Sequence, residues 1–155
     1  MKTAVVFFSR SGATRAAAEY MAGKLDADLF ELKPAKPYPE EYRAVVERAM
    51  DELRSKARPE LEELPDISPY DTVLVGSPNW CGTFAAPVAT FFANAALNGK
   101  TTGIFCTSGG SGLGSMPNAA AELAKGAKFC EPLSLRSGND TAEIDLWLEK
   151  IQQNA

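Results

Sequence analysis

Five short apolar runs, separated by segments of helical length and helical patterning, constrain this chain more than anything else in its sequence. The runs are Thr3–Phe8, Asp28–Leu32, Thr72–Gly76, Gly103–Thr107 and Phe129–Leu133. Most are continuous rather than alternating, the pattern of strands covered on both faces of a parallel sheet. The intervening segments place apolar residues on single helical faces. One stripe is Ala17, Tyr20, Met21 and Lys24/Leu25, and a second is Tyr42, Val45, Val46, Ala49, Met50 and Leu53. Val88, Phe91, Phe92 and Ala95 form a third, and Ile144, Trp147, Leu148 and Ile151 a last one, with a shorter helix over 117–123. The second helix is expected to start near Pro39, with Glu40 and Glu41 in its first turn and Arg54, Lys56 and Arg58 at its end, complementing the dipole. Strand–helix alternation through right-handed crossovers predicts one α/β domain over residues 1–155. Its parallel sheet has five strands in the order 2-1-3-4-5, with helices on both faces. Ligands bind such sheets beyond the carboxyl ends of the strands, so the loops after strands one, three and four are expected to meet at one site.

Composition removes several function classes. The net charge is −4, from 16 basic and 20 acidic residues, which lacks the basic footprint of nucleic-acid binding. No apolar run reaches membrane-spanning length, and the run after Met1-Lys2-Thr3 is too short for a signal-peptide core. The expectation is a cytoplasmic monomer with reduced thiols at Cys81, Cys106 and Cys130. No C-x-x-C spacing and no histidine are present, which argues against zinc binding and against Ser-His or Cys-His nucleophilic catalysis.

The first loop reads Ser9-Arg10-Ser11-Gly12-Ala13-Thr14. Its three hydroxyls and a glycine, where a helix exposes free N–H groups, make a site for a phosphate. Arg10 and Arg15 offset part of the charge. The competing reading is an ordinary helix start with Ser11 as cap. The second loop reads Ser77-Pro78-Asn79-Trp80-Cys81-Gly82-Thr83, where Trp80 offers a flat heterocycle a stacking surface or anchors its own loop. The third, Thr107-Ser108-Gly109-Gly110-Ser111-Gly112-Leu113-Gly114-Ser115, taken alone reads as a flexible glycine-serine loop, but its place after a buried strand points to backbone amides and hydroxyls set against a ligand's edge. It is no Walker loop, because no lysine follows the glycines.

These three loops, in this order, resemble those of the flavodoxins, especially short members sharing the Pro37-Tyr38-Pro39-Glu40-Glu41-Tyr42 segment. Ser9–Thr14 resembles the family's FMN phosphate loop, Ser77–Trp80 its first flavin-ring loop and Thr107–Gly112 its second. The resemblance spans essentially the whole chain. It implies a flavodoxin-like three-layer sandwich holding FMN noncovalently. The implied contacts are Ser9, Arg10, Ser11, Gly12, Ala13, Thr14, Pro78, Asn79, Trp80, Cys81, Gly82, Thr83, Thr107, Ser108, Gly109, Gly110, Ser111 and Gly112. It further implies single-electron transfer between a reductase and redox partner proteins, with a backbone carbonyl of Asn79–Gly82 accepting a hydrogen bond from the reduced ring. Asp66 and Asp71 read first as residues of a solvated loop, with guidance of a basic partner as the alternative. The chain departs from the pattern in carrying Cys81 where an aromatic often follows Trp80. Its second ring loop also lacks a tyrosine and the acidic residue beside it. A less covered ring keeps a second reading open, an NAD(P)H-dependent FMN or quinone reductase on the same fold. A response regulator is disfavoured, since Ser9-Arg10 and Ser77-Pro78 stand where carboxylates would be needed. A low-molecular-weight phosphatase is disfavoured too: Cys130 has Arg136 six residues on, but Glu131-Pro132-Leu133 is no glycine-rich cradle.

Overall fold

A computed structural model describes residues 2–154 of the chain. In chain order the elements are β1 (Thr3–Phe7), α1 (Ala13–Leu25), β2 (Asp28–Glu31), α2 (Tyr42–Ser55), β3 (Thr72–Trp80), β4 (Thr83–Phe84) and α3 (Ala86–Asn94). They continue with β5 (Thr101–Thr107), α4 (Met116–Leu123), β6 (Lys128–Phe129), β7 (Leu133–Leu135) and α5 (Thr141–Asn154). The parallel sheet runs β2-β1-β3-β5-β6, with β7 also on β5 and β4 folded back antiparallel on β3. This is the expected 2-1-3-4-5 order, with a short hairpin strand added after the third strand.

Each central strand feeds both faces of the sheet, because successive side chains alternate sides. Val5, Phe7, Leu74 and Phe105 pack with Ala17 and Met21 of α1 and with Ile144, Trp147 and Leu148 of α5. Ala4, Val6, Val73, Val75 and Ile104 pack with Val88, Phe91 and Phe92 of α3 and with Met116 and Ala120 of α4. Gly76 is flanked in register by Phe7 and Phe105. A Cβ there would lie 2.2 Å from the Phe105 ring, so only glycine admits that ring into the layer.

Three expectations are corrected. First, the edge strand expected over Phe129–Leu133 is split into β6 and β7. Register pairs Thr101 with Lys128 but Phe105 with Leu133, so the edge carries one extra residue between the two pieces. Pro132 has no N–H for a ladder bond, and a bulge at an edge accommodates it. Second, α2 begins at Tyr42 with Glu41 as N-cap and no acidic residue in its first turn. Residues 36–40 are instead held outside the helix, with Arg48 donating to the carbonyls of Lys36 and Pro37 and Arg10 to that of Glu40. The helix ends at Ser55, so Lys56 is its C-cap and Arg58 lies beyond it. Third, only Val45 and Ala49 of the α2 stripe are buried, while Tyr42, Met50 and Leu53 are exposed. Among the described residues, no helix is long and apolar enough to cross a membrane.

Candidate functional site

The loops after β1, β3 and β5 converge at the carboxyl edge of the sheet and are joined directly. The buried hydroxyls of Thr14 and Thr107 share a hydrogen bond of 2.7 Å, tying the start of α1 to the end of β5. The Asn79 amide donates to the Gly112 carbonyl at 2.6 Å, and its oxygen accepts the Gly82 N–H at 3.0 Å. The Gly82 carbonyl accepts the Ser115 N–H at 2.8 Å.

At the first loop, the N-cap of α1 is Gly12, at φ 102°, rather than Ser11. No side chain caps this helix, so the first-turn N–H groups face the loop's concavity without the usual acceptor. A Cβ on Gly12 would meet open space. Ser9 Oγ accepts the Gly12 N–H at 3.1 Å, which leaves its own proton to donate outward. Ser11 is exposed and Ala13 half-buried. Neither arginine is aimed at this concavity. Arg10 bonds the Glu40 carbonyl at 2.8 Å and lies over the Tyr42 ring. Arg15 pairs with Glu31 and covers Phe7, and that carboxylate raises its pKa. Thr14 is buried, and its hydroxyl is held by the bond it shares with Thr107. An anion here therefore meets helix N–H groups and the Ser9 and Ser11 hydroxyls.

The second loop is a hairpin rather than an open loop. Trp80 pairs with Thr83 across a two-residue turn, and Cys81 and Gly82 have φ of 57° and 87°. Two positive φ values define the turn type that matches strand twist, at which glycine is at ease and cysteine is not. Cys81 is exposed at the tip. Pro78 and Trp80 are half-buried, and the indole packs edge-to-face with Phe8 (5.3 Å) and Tyr38 (5.0 Å). Trp80 is thus anchored to the domain by an aromatic cluster. Thr83 is buried, and its Oγ1 has no hydrogen-bond partner among the described residues.

The third loop is closed on itself by Ser108, whose Oγ accepts the Gly112 N–H at 3.0 Å. Gly109, Gly110 and Ser111 are exposed at its tip, and a Cβ on Gly109, Gly110 or Gly112 would meet open space. The arrangement can hold an anion on α1 and a flat group against glycine backbone.

Three contributors lie outside the expected set. Tyr38 braces Trp80, its hydroxyl donating to Glu52 at 2.6 Å while Arg48 lies 3.9 Å over its ring. Burial, then the Glu52 carboxylate, pushes this phenol far above its ordinary range. Gly114 (φ 55°) passes so close to the hairpin that a Cβ would lie 2.0 Å from the Gly82 carbonyl oxygen. Gly138 abuts the start of α1, where a Cβ would lie 2.5 Å from the Ala13 carbonyl oxygen. A glycine in the β5 loop run is a visible signal for Gly114, and Tyr38 lies in the Pro37–Tyr42 segment already noted, though nothing there links it to Trp80; nothing local marks Gly138. Asp71, by contrast, bonds the Lys2 N–H at the amino-terminal edge of the sheet, and Asp66 caps the nearby Ser68 turn. Both carboxylates thus serve local backbone contacts, in keeping with the solvated-loop reading.

A family model described as Flavodoxin matches residues 2–151. No curated protein gives a significant match. Among solved structures, a candidate flavoprotein from Bacteroides eggerthii is similar at 29% identity and TM-score 0.85, covering 97% of this chain and 98% of that one. A flavoprotein from Lactobacillus acidophilus, solved in complex with FMN, is similar at 25% identity and TM-score 0.74, covering 95% and 98%. An oxidised flavodoxin from Bacillus cereus shares the fold, at 16% identity and TM-score 0.60 over 99% and 96%.

Proposed function

The chain belongs to the flavodoxin family, and from that premise we propose that it binds FMN and carries single electrons between a reductase and acceptor proteins. The observation that carries this reading is the helix start at Gly12, open and without a side-chain cap, set beside two loops bonded to each other. That concavity suits the phosphate through backbone N–H groups, Ser9 and Ser11. Gly109, Gly110 and Gly112 leave room for a ring edge to approach the backbone. The similarity to the FMN complex from Lactobacillus acidophilus supports the same cofactor. When bound, FMN supplies the redox chemistry, and the protein supplies binding, exclusion of water and electrostatics. Because Ser115 engages the Gly82 carbonyl, another carbonyl of the Asn79–Cys81 stretch would accept the hydrogen bond from the bound ring.

A second reading, direct reduction by NAD(P)H, is favoured by one observation: the tip Gly109-Gly110-Ser111 is exposed and carries no aromatic cover. One experiment separates the two. The protein is reconstituted with FMN and titrated anaerobically, by photoreduction in one arm and by NADPH in another. The carrier reading expects two resolved one-electron phases under light and no bleaching by NADPH alone. Rapid bleaching by NADPH chooses the reductase. Failure to retain FMN, or riboflavin binding as tightly as FMN, overturns the phosphate assignment at Gly12.

A further inference from the structure

We propose that the open edge of β2 is a docking site for a basic, extended segment of a partner protein, which adds a strand to the sheet there. β2 ends the sheet order and pairs with β1. The Leu32 N–H donates to the Phe7 carbonyl. By alternation, the main-chain groups of Phe30 also face β1, and those of Leu29, Glu31 and Lys33 face outward. Just past the strand this outward set is used: Glu62 N–H donates to the Lys33 carbonyl and Ala35 N–H to that of Glu60, both at 2.8 Å, about an antiparallel bridge of Pro34 with Leu61. Continued, that register would set Leu64 against Glu31 and Asp66 against Leu29. The chain instead departs after Glu62, and a cavity of about 560 Å³ opens between it and β2, walled by Leu29, Phe30 and Glu31 on one side and Glu62, Glu63 and Pro65 on the other. The N–H and C=O groups of Leu29 and Glu31 point toward it and have no partner among the described residues. An edge left open in this way is a template for another strand.

The walls select the strand that fits. Glu31 is paired with Arg15. The charges left are Glu62, Glu63 and Asp66 against Lys33, all four equally exposed to solvent, so the rim is acidic. At exposed positions charge governs the choice of partner and the salt dependence, while main-chain bonds supply the affinity. The same rim disfavours a second copy of this chain, because pairing β2 with itself brings two acidic rims together. Leu29 is 39% exposed at this edge. The matching strand therefore alternates apolar residues, which cover Leu29, with lysine or arginine. The groove includes none of Ser9–Thr14, Pro78–Thr83 or Thr107–Gly112, so the proposal does not depend on FMN.

The test titrates the full chain with a capped hexapeptide of alternating lysine and valine, followed by amide chemical shifts and hydrogen exchange at low salt. Saturable shifts in β2 and residues 60–66 are expected. Exchange is expected to slow at the Leu29 and Glu31 amides and to stay unchanged at Phe30, whose N–H already serves β1. The double variant Glu62→Gln/Glu63→Gln is expected to weaken binding about fivefold, the loss of two exposed charge pairs. Leu29→Pro removes an outward N–H that the fold does not use, a position where an edge strand tolerates proline, and is expected to abolish binding. Thermal melts confirm that each variant is folded. If Leu29→Pro does not fold, the hexapeptide methylated at every backbone nitrogen takes its place: it keeps the charge, and its binding as tightly as the parent overturns strand addition. Absence of saturable binding at millimolar concentration overturns the site, as does binding without slowed exchange at Leu29 and Glu31. Equal binding of a glutamate–valine hexapeptide overturns the charge selection. Protection of these two amides that rises with protein concentration in the absence of peptide assigns the edge to a second copy and overturns the partner.

Discussion

At the scale of single residues, the site is held together by groups whose partners are the neighbouring loops themselves. Asn79 spends both ends of its amide on them, donating to Gly112 and accepting from Gly82. Asn79→Leu keeps the bulk but strands two backbone groups, so a loss of about 1–3 kcal/mol of stability is expected, measurable by urea unfolding. FMN affinity is expected to fall as well, because the two loops lose their tie. Gly114→Ala acts on the same seam. It puts a Cβ within 2.0 Å of the Gly82 carbonyl oxygen and asks alanine for a φ of 55°. Separation of the loops and weaker FMN binding, read by fluorescence titration, are expected even though Gly114 lies outside the cradle. Tyr38 supplies a pH signature. Its folded pKa is raised by burial and by Glu52, whereas the unfolded phenol titrates near 10. The stability it contributes is therefore fully present below about pH 10, and it falls as pH rises above that value. Tyr38→Phe is expected to flatten the alkaline limb of a pH–stability curve; an unchanged slope would remove Tyr38 from the account.

At the scale of elements, what was legible in the sequence depended on how local the cause was. The strands β1, β3 and β5 announce themselves because a strand covered on both faces must be apolar along its length. The order of the sheet follows from alternation and crossover handedness. The phosphate-type loop is legible because its determinants, glycine and hydroxyls at a helix start, are contiguous. The edge strand was misread because the bulge between β6 and β7 is defined by register against β5, which no window over 128–135 contains. The start of α2 was misread because Arg48 and Arg10 hold residues 36–40 out of the helix from a distance. Trp80 shows the same non-locality: its sequence context leaves a stacking surface and a loop anchor both open, and the rings that anchor it, Phe8 and Tyr38, come from other segments. Gly138 shows the same non-locality at α1. It follows β7 by sequence, yet it packs on the backbone of Ala13 and the methyl group of Ala16. Gly138→Ala must push the first turn of α1 away from the β1 loop. The expected outcome is a larger loss of affinity for FMN than for riboflavin, since the displaced N–H groups are those proposed to face the phosphate. Equal losses for both ligands would mean that α1 does not bind phosphate.

At the scale of the whole molecule, the candidate site draws on both helix layers. α1 belongs to the layer that packs with α5, whereas the hairpin and α4 belong to the opposite one. Within the sheet the two halves meet through β1, β3 and β5, and above it through the Thr14–Thr107 hydroxyl pair. A ligand that spans the cradle therefore adds contacts that only the assembled sandwich offers, and it binds the folded chain in preference to the unfolded one. Mass action then gives about 2.7 kcal/mol of added stability at a free FMN concentration one hundred times the dissociation constant. For a domain of this size that corresponds to a rise in Tm of roughly 5–10 °C. Riboflavin, lacking the phosphate, is expected to produce a smaller rise at the same concentration, and inorganic phosphate alone a smaller one still. Calorimetry of the same preparation with each additive checks the ranking. A rise with riboflavin equal to that with FMN would show that the open start of α1 contributes nothing to binding, whatever the ring loops contribute. A rise with FMN that vanishes in Thr14→Val, in a variant that still unfolds cooperatively, would show that the link between the two halves is what the cofactor reads.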